Sequence, residues 1–192
     1  MRAAILALCL AVLPALSSAE TYRGYPEAPY RIEQSAGAIE LRSYAPRLVA
    51  EVTVRASRDR AINRGFRELA GYIFGDNAAG QKIAMTVPVD QTETPYGWVT
   101  RFTLPEGAAL ADLPKPETGA IVFRRLPAER MLVGRFSGVA TTDRLEEAAG
   151  NLRAWADVNG LKLSGAPVFM FYDGPFTLPW NRRNEVGFTL AE

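Results

Sequence analysis

Two stretches of helical period interrupt a chain otherwise built from short runs of period two. Residues 39–44 (IELRSY) alternate apolar and polar positions, and 48–54 (LVAEVTV) alternate again with β-branched enrichment, so both predict strands broken at Pro46. At Ser57 the period changes. Ile62, Phe66, Leu69, Ala70 and Ile73 recur at three- and four-residue spacing, which predicts a helix capped by Ser57 and stopped at Gly75. Residues 82–89 follow as an apolar run and predict a buried strand ended by Pro88 and Asp90. The turn residues Thr94-Pro95-Tyr96-Gly97 lead into a strand over 98–104. Residues 105–119 hold three prolines and read as a linker.

The same order then returns. Strands are expected over 120–126 and 131–136. A helix capped by Asp143, with Glu146 three residues on, carries Leu145, Ala148, Ala149, Leu152, Trp155 and Ala156 on its apolar face. Gly160 ends it, and strands over 167–172 and 185–190 complete the chain, with an Asp173-Gly174-Pro175 turn between them. The chain is thus strand-strand-helix-strand-strand written twice, in halves of about 36–113 and 117–191 that join near Pro114. Each half is a small sheet with one face covered by its own helix. The expected product is a pseudo-twofold α+β fold, a twisted, barrel-like antiparallel sheet with two helices outside. Such duplication leaves a cleft between the halves, a natural ligand site.

Composition narrows the chemistry. Of 192 residues, 48% are hydrophobic and 22% charged, with a formal net charge of +1, so no basic patch points to nucleic acid. Arg2, an apolar core over 3–16 and the small residues Ser17-Ser18-Ala19 form a secretory signal, too short for a comfortable membrane span. Cleavage after Ala19 leaves one domain over 20–192, exported to the periplasm or beyond, with no membrane span in the mature chain and expected as a monomer. There is no histidine, and the single cysteine, Cys9, lies in the signal. The mature chain therefore excludes disulfides, His- or Cys-ligated zinc, a Ser-His-Asp triad and histidine-ligated haem. No carboxylate pair, activated serine or phosphate loop stands out.

The run from Tyr72 through Gly75 and Asn77 to Lys82-Ile83-Ala84-Met85-Thr86-Val87-Pro88-Val89 resembles the signature of the SOUL haem-binding family. So do IELRSYAPRLVAEV at 39–52, Tyr172-Asp173-x-Pro175, and Arg182-Arg183-Asn184-Glu185-Val186. The resemblance spans about residues 36 to 190. It implies a barrel-like sheet with two helices, and non-catalytic binding of haem, or another tetrapyrrole or flat hydrophobic ligand, in an apolar groove on the first helix without a histidine ligand. Ile62, Phe66 and Ala70 match positions that face the ligand in vertebrate members, with Phe66 in place of a methionine. Asn63 and Gly71 stand where those members carry arginine and lysine. Arg64, Arg67 and Lys82 are the nearby cations that could replace them as propionate partners. Met85, and Phe176 and Leu178 on the C-terminal loop, complete the implied ligand-binding set. No other cofactor and no metal site is implied.

Two further readings stand beside it. The loss of cations at Asn63 and Gly71 suits a partner-binding or structural protein on this fold that no longer takes haem. By analogy of fold alone, a small-molecule hydrolase would require a Tyr–Glu or Tyr–Asp pair in the cleft, a pair the sequence does not name.

Overall fold

The computed structural model describes residues 21–191, so the expected signal over 1–19 lies outside the described residues. A short hairpin of β1 (Thr21–Tyr22) and β2 (Tyr25–Pro26) precedes β3 (Tyr30–Ala36). The first half is β4 (Ile39–Tyr44), β5 (Arg47–Val54), α1 (Arg58–Phe74), β6 (Val89–Thr94) and β7 (Gly97–Thr103). The second is β8 (Ile121–Leu126), β9 (Glu129–Phe136), α2 (Thr142–Val158), β10 (Leu163–Phe171) and β11 (Asn184–Leu190). The expected double order is present.

Nine strands form one antiparallel sheet in the order β3-β4-β9-β11-β10-β6-β7-β5-β8. Without β3 this order is a palindrome under exchange of the halves. Each half keeps three strands to itself and gives its first strand to the other, β4 to β9 and β8 to β5. The sheet is open, with β3 and β8 as its edges, so the barrel-like sheet stays unclosed.

Three local expectations are corrected. Ser57 occupies the cap position of α1 but its side chain makes no capping bond; Arg58 is drawn inward there instead. Thr141, not Asp143, caps α2 by accepting from Arg144 N. Residues 82–86 are not a strand, and β6 begins only at Val89. Pro88 has no N–H for a ladder, and Thr86 instead donates its buried hydroxyl to the Thr103 carbonyl.

Alternation along the strands separates two faces. Val89, Phe102 and Phe169 face the helices, where two apolar clusters surround α1 and α2. Asp90, Arg101 and Met170 face the other way. On that face a cross-strand row runs Glu51, Arg101, Asp90, Met170, Glu185, Arg135 from β5 to β9. Its fixed point is Glu185, fully buried, which accepts from Arg42 Nη1 at 2.7 Å and Nη2 at 3.0 Å. Arg183 Nε and the Tyr172 hydroxyl add bonds of 2.9 Å each, and Arg183 reaches on to Glu27. The Arg182–Glu185 segment is thus a structural ion network. Asp173 serves the same end, accepting from Tyr22 OH and Arg183 N.

Burial alone would raise the Glu185 pKa, but the Arg42 hydrogen bonds and charge, then Arg183 and Tyr172, hold it down at about 2. A folded-state pKa below the unfolded one gives stability that is present above pH 4.5 and lost as pH falls from 4.5 towards 2. Urea unfolding of Glu185→Gln across the acid-to-neutral range should show a loss of about 3–5 kcal/mol at neutral pH, the usual cost of removing one partner of a buried pair. The gap to the parent protein should close as pH falls through that window.

Candidate ligand-binding face on the first helix

Helix α1 meets the sheet at Gly65, which has no side chain to hold the two apart. A Cβ there would stand 2.5 Å from Thr100 Oγ1 on β7. Arg58 fixes the start of the helix, donating to Thr142 Oγ1, Gln91 Oε1 and the Ala140 carbonyl, and so ties α1 to the start of α2. Its inward face is Ala61, Gly65, Leu69, Tyr72 and Ile73. That face is turned from the one read in the sequence. Leu69 and Ile73 stay inside, Ile62 and Ala70 are half-buried, and Phe66 remains 45% exposed. Phe74, four residues beyond Ala70 and absent from the stripe expected from the sequence, is 57% exposed and extends it.

The helix stops at Gly75, whose φ of 118° is a left-handed conformation suited to glycine. Asn77 then organises the return. Its amide donates to the Tyr72 and Gln81 carbonyls, and its oxygen accepts from Ala79 N and Gln81 N. Ile83 N donates to the Ile73 carbonyl, which lays 82–86 back along the helix. Met85 and Ile83 are thereby packed against the α1 core cluster. Gly75 and Asn77, both residues of the family signature, thus act together to bring Met85 to α1.

Phe66, Ala70, Phe74 and Met85 meet around a void of only about 10 Å³. With so small a void among the described residues, a flat ligand on this face would lie across it. Beside the apolar stripe, Asp59, Arg60, Asn63, Arg64, Arg67 and Glu68 line an open polar trough of about 420 Å³. Asn63 is turned to its own helix, donating to the Asp59 carbonyl at 2.7 Å. At Gly71 the neighbour is an acid, with Asp76 Oδ2 2.8 Å from where a Cβ would stand. Lys82 is exposed.

The loop after β10 is not part of this assembly. Phe176 is 100% exposed, and neither it nor Leu178 lines the void at Phe66. The loop is tied elsewhere, by Gly138 N to the Pro179 carbonyl and Arg23 Nη2 to the Asn181 carbonyl. The structure thus brings together Phe66, Ala70 and Met85, with Ile62 one turn before Phe66 on the same helix, places Asn63 and Arg67 on the adjoining face, and leaves Phe176 and Leu178 outside that void.

A tetrapyrrole requires an apolar platform and cations for its carboxylates. The Ile62–Phe66–Ala70–Phe74 stripe supplies the first. Arg60, Arg64 and Arg67 supply the second, since among the described residues none of them enters an ion pair. Those residues fit such a group as a surface seat. No cluster of three or more His, Cys, Asp or Glu suited to a metal ion occurs among the described residues, and no helix there is long and apolar enough to cross a membrane.

Residues 25–189 match the profile of the SOUL heme-binding protein family. The chain belongs to that family. It is 28% identical over 169 residues to Heme-binding protein 2 of Mus musculus, covering 83% of this chain and 82% of the mouse protein. Its fold is similar to that of the EcmrR C-terminal domain, with a TM-score of 0.58 at 14% identity over 85% of this chain and 98% of that one. It is also similar to a hydrolase from Listeria innocua, with a TM-score of 0.58 at 7% identity over 80% and 91% of the two chains. At such identities the two structures speak to fold alone. SOUL membership makes the chain part of a haem-binding family.

The close seating of this SOUL helix is testable through two glycines. Gly65→Ala forces a Cβ into Thr100 and should destabilise by about 1–3 kcal/mol. Gly150→Ala on α2 meets nothing within 4 Å and should stabilise by roughly 0.5–1 kcal/mol through helix propensity. Urea midpoints that move in opposite directions are the expected result.

Proposed function

We propose that this SOUL protein binds haem, or a similar flat hydrophobic tetrapyrrole, across the outer stripe of α1, without a histidine ligand and without catalysis. The observation that carries the reading is the half-exposed Phe66 and Phe74 pair beside Met85, flanked by arginines with no ion-pair partner among the described residues. Large apolar side chains left at a surface gain from being covered, at about 25 cal/mol per Å² removed from water. The ligand's flat face would rest on Ile62, Phe66, Ala70 and Phe74, while its carboxylates would lie towards Arg64 and Arg67. Asp76 beside Gly71 disfavours an anion at that end, so the carboxylates point to the Asn63–Arg67 side. The chain has no histidine to offer the iron, and Met85 is held by packing. Affinity then rests on apolar contact and charge. We further propose that the protein acts outside the cytoplasm after removal of residues 1–19.

The alternative is a SOUL-fold protein whose α1 stripe is covered by another protein chain. The free arginines favour the anionic small molecule.

Hemin titration of the mature protein, followed at the Soret band, should saturate. Phe66→Asp should abolish the shift. Arg67→Glu should weaken binding roughly 10- to 100-fold, as expected for one charge-assisted contact of about 1.5–3 kcal/mol. Absence of a saturable shift, or one indifferent to Phe66→Asp, refutes the reading.

A further inference from the structure

The face of the sheet turned away from the helices holds a cavity of about 160 Å³, lined from both halves of the chain. Its volume is close to that of cavities that admit one benzene-sized molecule. Asp90, from the central strand β6, lies in its wall with 7% of its surface exposed. Among the described residues its carboxylate accepts no hydrogen bond, and Oδ1 is buried without a partner. The neighbouring arginines each bond another carboxylate rather than Asp90, although Glu51 is shared by Arg101 and Arg124 and Arg47 Nη1 is itself buried without a hydrogen-bond partner. Arg101 stands directly across from Asp90 but donates its Nε to Glu51 at 2.8 Å. Arg47 pairs with Glu129 at 2.7 Å, and Arg183 pairs with Glu27 at 2.9 Å. Asp90 is therefore the carboxylate of this wall that no arginine bonds; the lining also holds the paired Glu27, Arg47, Arg101 and Glu129, beside the aromatic and thioether surface of Tyr30, Tyr44, Met131 and Met170.

An unpaired buried carboxylate is costly, and it either takes up a proton or has its charge answered by a cation. We propose that this cavity is a second binding site, independent of the α1 face, for a small aromatic monocation such as a primary ammonium or amidinium. The cationic head donates to Asp90. The ring lies against the Met131 and Met170 thioethers, a favourable sulfur–aromatic pairing. A neutral ligand of the same shape would leave the carboxylate charge unanswered, and an anion would be repelled by it.

The carboxyl titrates in a useful range. Burial pushes the Asp90 pKa up to about 6, with Arg47 and Arg101 opposing the rise and Glu129 and Glu185 adding to it. A bound cation favours the ionised form, so the cation competes with the proton.

Calorimetric titration with benzamidine and benzylamine at about pH 7.5 tests the site, with benzamide as the neutral isostere. Saturable binding with Kd between about 10 μM and 1 mM is expected for ligands of this size. Benzamide should bind at least about ten-fold more weakly. Affinity for the cations should fall about ten-fold per pH unit below about pH 6. Asp90→Asn keeps the side-chain shape, and its fold is checked by thermal melting; it should lose the cation preference and the pH dependence together. Equal binding of benzamide and benzamidine, an unchanged affinity in Asp90→Asn, a flat pH profile in the parent protein, or no binding up to about 10 mM would each overturn the proposal; the last would mean that the cavity holds ordered water only.

Discussion

The bidentate contact between Arg42 and Glu185 joins the two halves of the sequence at a point where water is excluded. Arg42 belongs to β4, a strand of the first half that is hydrogen-bonded to β9 of the second. Glu185 belongs to β11, on the other side of β9. The pair therefore reaches over β9 and fixes the register of the exchanged strand. Buried ion pairs seldom add much net stability over an apolar equivalent, but leaving one partner alone is expensive. A slipped register would strand both charges, so the contact selects one arrangement of the halves. Arg183 and Tyr172 complete the shell around Glu185, and Arg183 carries the network to Glu27 near the start of the described chain.

With the halves locked in this way, the sheet has two unlike faces. One is covered by α1 and α2 and is largely apolar, with Thr100 against Gly65 and with Gln91 bonded to Arg58 where the helix starts are tied together. The other carries the charged cross-strand row and the cavity at Asp90. The α1 stripe lies on the outer flank of the helix layer, and the cavity lies beneath the sheet. The sheet separates them, so each can serve a ligand of different chemistry: a flat, acidic hydrophobe outside, and a small cation inside.

Element order and most strand bounds were legible because an apolar residue at every second position survives wherever one face packs on a helix. β4 and β5 follow that rule, and so does the inward face of α2. β6 was missed because its sequence, Val89 to Thr94, is almost all polar. Its polar residues have specific places, since Asp90 and Thr92 line the cavity while Gln91 holds Arg58. The preceding apolar run, Ile83, Met85 and Val87, looked like a strand because an irregular segment packed on α1 also buries alternate residues. The α1 face was misjudged by part of a turn. Gly65 carries no hydrophobic signal, yet its close approach to Thr100 decides which way the helix faces. Phe66, Ala70 and Met85 were readable as a set through family wording, whereas Phe176 shares that wording's neighbourhood only in sequence.

The claim with most weight is that a tetrapyrrole sits on the outer stripe of α1 and nowhere else. Titrating isotope-labelled protein with diamagnetic gallium protoporphyrin and following amide and methyl NMR shifts locates it directly. Shifts concentrated on residues 59–74 and on Ile83 and Met85, with Val168, Met170 and Asp90 unmoved, are the predicted result. Shifts centred on the cavity face, or on the loop carrying Phe176 and Leu178, would contradict it.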